Sequence, residues 1–147
     1  MNREKNTMTA ELCLIDTDIL IYILKDIDPA FQQSREYLKK QKKFTISCIT
    51  YYECLRGYQA VGATKRLRIF EELLDITDVL YLDRDILDKA ADIYGLLKKK
   101  GLLPGELDIL IAATAMVHDF TLISNNEKHY KVICESFPLR INNWMRS

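Results

Sequence analysis

The chain has 147 residues, 48% of them hydrophobic and 29% charged, with 21 basic side chains balancing 21 acidic ones. That length suits one domain with its own core, and the balanced charge excludes nucleic-acid binding through the overall field, so any such contact needs a local basic patch. No apolar run reaches the roughly 18 residues of a membrane span, and the opening MNREKNTMTAEL lacks the apolar stretch of a secretion signal, which excludes a membrane protein and predicts a cytoplasmic one.

Residues 1–10 are polar and read as a flexible N-terminal extension, leaving residues 11–147 as a single domain. Leu12 to Ile15 is a short apolar run suited to a covered strand; it ends in Asp16-Thr17-Asp18 before a helix-like stretch from Ile19 to Leu24. Asp28-Pro29 opens a helix to about Lys43, Phe44 to Ser47 is strand-like, and Thr50 to Tyr58 is helical until Gly62 breaks the pattern. A helix from Ala63 to Leu74, a strand around Val79 to Leu82, and a helix from Arg84 to Lys99 ending at Gly101 follow. A helix from about Gly105, a strand from Phe120 to Ile123, a short helix near Asn126 to Tyr130 and an edge strand within PLRINNW complete the chain. Strands alternating with helices predict an α/β fold around a mainly parallel sheet. The four cysteines, Cys13, Cys48, Cys54 and Cys134, form no C-x-x-C pair and read as small hydrophobes in a reducing compartment.

The acids gather at strand-to-helix junctions. Asp16 and Asp18 follow the first strand, Glu53 follows the second, Glu106 and Asp108 open a helix, and Asn126 and Glu127 follow the strand ending at Ile123. In an open α/β sheet such junctions share the carboxyl edge, where ligands bind. Each acid also has a plain local explanation. Asp16 can cap a helix and Asp18 can complement its dipole; Thr50-x-x-Glu53 and Ser124-x-x-Glu127 both fit a capping box. Asp16, however, ends an apolar strand and Asp108 heads a stripe of Ile111, Ala112 and Ala115, so both point toward protein. Converging carboxylates repel one another unless a hard divalent cation neutralises them, and an all-oxygen set suits Mg2+ or Mn2+. His118 and His129 read as isolated surface residues, which argues against zinc.

The segments LIDTDILIYIL, ITYYECLRG and LPGELDILIAATAMVHDFTLISNNEKHY, with the closing NNW, resemble the PIN-domain ribonucleases, and among them the VapC-type toxins of toxin–antitoxin pairs. The resemblance runs from residue 12 to residue 144 in the family's motif order. It implies a three-layer α/β/α sandwich and Mg2+- or Mn2+-dependent cleavage of RNA to 5′-phosphate and 3′-hydroxyl ends. It assigns Asp16, Glu53 and Asp108 to the main acidic metal positions. At the fourth, where many relatives carry Asp, this chain has Asn126, a neutral ligand, and Glu106 is an additional candidate. Arg56 is the candidate phosphate contact, Ser124 the candidate for orienting water, and Lys42, Lys43, Arg66 and Arg68 a possible extension of the RNA track. Tyr51, Tyr52 and Tyr58 read as core. A homodimer and a small antitoxin are the implied protein partners, the antitoxin seated in a groove around Ile21, Tyr22 and Leu24. A non-catalytic RNA- or protein-binding module of the same fold remains an alternative, as do a dehalogenase-like phosphatase and a receiver-type phosphoacceptor, although both of these need a Lys pattern missing here.

Overall fold

The computed structural model describes residues 11–146; the N-terminal extension expected at residues 1–10 lies outside them. Five short strands and seven helices alternate along these residues: β1 (Cys13–Ile15), α1 (Thr17–Leu24), α2 (Ala30–Gln41), β2 (Phe44–Ser47), α3 (Cys48–Ala60), α4 (Thr64–Leu74), β3 (Thr77–Leu80), α5 (Arg84–Lys100), α6 (Glu106–Val117), β4 (Thr121–Ile123), α7 (Glu127–Cys134) and β5 (Ile141–Asn142). The expected order is present throughout, with boundaries displaced by a few residues. Gly101 ends α5 at φ 71°, a left-handed conformation that glycine adopts without steric cost.

Every strand pair is parallel. Leu14 of β1 stands opposite Leu122 of β4, and β4 also pairs with β5, while β2 pairs with β3 in a second ribbon lying against β1. Because side chains alternate across a strand, β1 and β4 each serve two cores. Leu14 and Leu122 face Ile86, Ile93 and Leu97 of α5 and Ile109 and Ala113 of α6. Cys13, Ile15 and Ile123 face Ile19 and Ile23 of α1, Phe44, Ile46, Phe70 and Trp144. Helices therefore cover both faces, giving the expected three-layer α/β/α sandwich.

Parallel strands need crossovers, and each crossover here places a strand-to-helix junction at the same end of the sheet. Asp16 follows β1, α3 follows β2, and Ser124 follows β4. The backbone N–H of Asp16 donates to Ile123 O at 2.9 Å, and that of Ser124 donates to Asn142 O at 3.0 Å, fixing the junctions in register.

Cys13 and Cys54 are buried and all four cysteines are free thiols. Burial pushes the Cys13 and Cys54 thiols up to about 12, so they behave as the expected hydrophobes. No helix among the described residues is long and apolar enough to cross a membrane.

Candidate active site

One pocket at the carboxyl edge is lined by Asp16, Thr17, Asp18, Ile21, Glu53, Arg56, Asp108 and Asn126. Three elements deliver its acids. Asp16 caps α1 with extended backbone, accepting the Thr17 N–H at 2.8 Å on Oδ1, so its carboxylate is fixed by the turn that starts the helix. Its other oxygen, Oδ2, accepts from Ser124 Oγ at 2.8 Å and from the Tyr130 hydroxyl at 3.1 Å. The residue is only 5% exposed. Burial first, then repulsion from Asp18, lifts its carboxyl to about 6, against the opposing hydrogen bonds from Ser124 and Thr17.

Asp108 lies in the first turn of α6, with Oδ1 3.3 Å from the Tyr130 hydroxyl and Oδ2 3.2 Å from His129 Nδ1. Glu53 sits in the middle of α3. Thr17 Oγ1 donates to its Oε1 at 2.5 Å and lies 3.0 Å from Thr50 Oγ1, so the DTD turn grips α3. The other Glu53 oxygen is 3.8 Å from Arg56, whose guanidinium lies over the Tyr52 ring at 5.1 Å from its centre.

Several local readings are overturned. The cap of α3 is Ser47, which accepts from Ile49 N–H at 3.0 Å; Thr50 and Glu53 are therefore inside the helix, and no capping box forms between them. Ser124 likewise does not pair with Glu127. Its oxygen accepts the Asn126 N–H at 2.9 Å, whereas Glu127 takes Asn143 Nδ2 at 2.7 Å and Arg146 Nε at 2.8 Å. Glu106 lines a different groove, with Ala90, Tyr94 and Leu110. Residues two apart on a helix point about 200° from each other, so Glu106 and Asp108 face opposite ways. Lys43 is paired with Asp78 at 2.7 Å and Arg66 donates to Leu24 O at the end of α1, and neither lines this pocket. Tyr51 and Tyr58 pack on Phe70 as expected, but Tyr52 is 52% exposed.

Other participants emerge only in three dimensions. Asp18, read as a dipole-complementing acid, lines the pocket and accepts the Asn125 N–H at 3.1 Å; burial and then Asp108 raise its carboxyl. Asn126 precedes α7 without using its side chain as a cap, leaving the amide available to the pocket. His129, expected to be isolated, instead meets Asp108, and Tyr130 gives no sign in the sequence, because nothing local ties either to the acids after β1 and on α6. Among the described residues, no three His, Cys, Asp or Glu side chains are grouped closely enough to hold a metal ion as they stand. The donor set nonetheless fits a hard divalent cation. Four carboxylates and an amide share one pocket, without the imidazole or thiolate cluster that zinc favours, and their mutual repulsion is relieved by positive charge.

The PIN domain family model matches residues 13–133. Ribonuclease VapC1 of Methanocaldococcus jannaschii is 34% identical over 128 residues, covering 87% of this chain and 85% of the relative. Ribonuclease VapC2 of Rickettsia felis is 32% identical over 139 residues, covering 89% and 96%. Among solved structures, VapBC-1 from nontypeable Haemophilus influenzae superposes with a TM-score of 0.76 at 28% identity over 92% of this chain and 99% of that one. The R. felis VapBC2 complex with promoter DNA superposes at 0.79 with 24% identity over 90% and 98%, which speaks for the fold. With the sheet, the junction acids and these matches agreeing along nearly the whole length, the chain belongs to the PIN domain family and, within it, to the VapC ribonucleases.

Proposed function

We propose that this protein is a Mg2+- or Mn2+-dependent endoribonuclease, the toxin of a type II toxin–antitoxin pair. The observation that carries the reading is one pocket lined by Asp16, Asp18, Glu53 and Asp108, brought from three separate elements of a VapC-like chain. A capping or dipole role accounts for Asp16, Asp18 and Asp108 singly, but not for Glu53 in mid-helix or for the meeting of all four.

Asp16, Glu53 and Asp108 are the proposed cation ligands, with Asp18 and Asn126 beside them. When bound, the divalent ion supplies charge neutralisation at the scissile phosphate and makes water nucleophilic near neutral pH. The chain's own side chains set the stage. Ser124 acts by holding Asp16 rather than by orienting water, since its hydroxyl is spent on Asp16 Oδ2. Thr17 keeps Glu53 turned into the pocket. Arg56 stands at the rim, 52% exposed at its side chain, where a phosphodiester can displace its long contact with Glu53. Attack of water on phosphorus breaks the bond to the 3′ oxygen, leaving a 5′-phosphate and a 3′-hydroxyl.

Asp108→Asn is the direct test. The variant keeps the shape of the side chain and its bond with Tyr130, so it should fold while RNA cleavage in Mn2+ falls at least a hundredfold. Cleavage at the wild-type rate would refute the assignment, and a fold lacking cleavage in the wild type itself would favour the non-catalytic binding module.

The partners follow the same reading. An antitoxin segment is proposed to lie in the apolar groove lined by Leu24, Phe31, Leu38, Phe44, Ile69 and Leu73. Of the residues expected there, Leu24 lines the groove, whereas Ile21, one turn earlier, lines the acid pocket; α1 thus joins the two. A second copy of the chain is the proposed cover for the face of α5 where Leu87 and Tyr94 are exposed. Free thiols and the absence of a long apolar helix among the described residues support a cytoplasmic location.

A further inference from the structure

Tyr130 has no exposed surface, yet its hydroxyl reaches two acids from different elements: Asp16 Oδ2 at 3.1 Å and Asp108 Oδ1 at 3.3 Å. Its ring belongs to the core that includes Ile133, Leu122 and Ile111. A phenylalanine ring would serve that core equally well. The hydroxyl needs a separate reason, because an O–H is costly to bury unless it is used.

The two acids have no other element in common. Asp16 is positioned by the end of β1 and Asp108 by the start of α6, and Tyr130 of α7 lies between them. With Ser124 and Tyr130 both on Asp16 Oδ2, and Tyr130 on Asp108 Oδ1, one oxygen of each carboxylate is committed to the core. Asp16 Oδ1 keeps a single bond, from the Thr17 N–H at 2.8 Å, and Asp108 Oδ2 meets only the exposed His129 ring at 3.2 Å.

We propose that Tyr130 is a positioning residue for the cation site: its hydroxyl ties Asp16 to Asp108, setting their separation and turning their remaining oxygens toward the pocket. This rests on the metal-dependent reading above. Outer-shell donors of this kind, when removed, typically cost 10–100-fold in metal affinity.

Titration calorimetry of Mn2+ into the folded, RNA-free protein tests it with Tyr130→Phe, which retains the ring and whose fold is verified by circular dichroism. The expected result is a 10–100-fold weaker Mn2+ affinity, with the Mn2+ concentration for half-maximal RNA cleavage rising by the same factor. A purely structural role for Tyr130 would lower the melting temperature without moving either quantity. Asp108→Asn is titrated in parallel and should lose Mn2+ binding. If D108N loses the ion while Y130F binds it as tightly as wild type, the positioning role is overturned; if D108N also binds like wild type, the metal reading beneath it falls.

Discussion

Replacing Asp16 by Asn should stabilise the metal-free protein at neutral pH while destroying its ribonuclease activity. The folded-state carboxyl of Asp16 titrates near 6 instead of 3.8, chiefly because it is buried and secondly because Asp18 repels it. A raised value means the fold prefers the neutral form: the stability Asp16 contributes is complete below pH 3.8 and is lost as the pH rises through about 6. The gap corresponds to about 3 kcal/mol at pH 7.5, since each pH unit is worth about 1.4 kcal/mol. Asn never carries the charge, but its single oxygen cannot serve Thr17 N–H, Ser124 and Tyr130 together, which returns about 1 kcal/mol. The net gain is about 2 kcal/mol, or a melting temperature about 4–8 °C higher for a domain of this size. At pH 4 only about 0.5 kcal/mol of the charge penalty remains against the lost hydrogen bonding, so the sign reverses and the variant should be less stable by about 0.5 kcal/mol. Thermal unfolding followed by circular dichroism in EDTA at pH 4 and pH 7.5 checks both halves. A stability difference that is the same at the two pH values would refute the buried-charge account. The opposite signs of stability and activity are what a site held under electrostatic strain for function predicts.

Two other substitutions separate positioning from packing. Thr17→Val keeps the β-branched shape but removes the hydroxyl that holds Glu53; cleavage at fixed, subsaturating Mn2+ should fall about tenfold or more, with a melting temperature changed by only a few degrees. Tyr58→Phe probes the one buried side-chain oxygen without a hydrogen-bond partner among the described residues; deleting it should raise stability by about 1 kcal/mol in urea unfolding and leave cleavage unchanged.

Much of the architecture was legible in the chain. The short apolar runs ending at Ile15, Ser47 and Ile123, each followed by a helical pattern, fix a parallel α/β sheet because parallel strands require covered crossovers. The convergence of Asp16, Glu53 and Asp108 on one pocket was legible too, since each is an acid at or near the carboxyl end of a strand or the head of an apolar helix. Helical periodicity already contained the argument against Glu106, which lies on the face opposite Asp108.

Only the tertiary structure decided what each of these groups does. Thr50 and Glu53 match a capping box on paper, but α3 starts earlier, at the cap Ser47, so Glu53 answers to Thr17 on another element. Ser124 turns to Asp16 instead of Glu127, and Tyr130 bridges Asp16 and Asp108, because β1 and β4 pair in parallel with Ile15 opposite Ile123 and bring the ends of both strands together. Local patterns specify which face of an element is apolar and where it starts. The meeting of hydroxyl and carboxylate depends on strand register and helix packing, which no stretch of neighbouring residues encodes by itself.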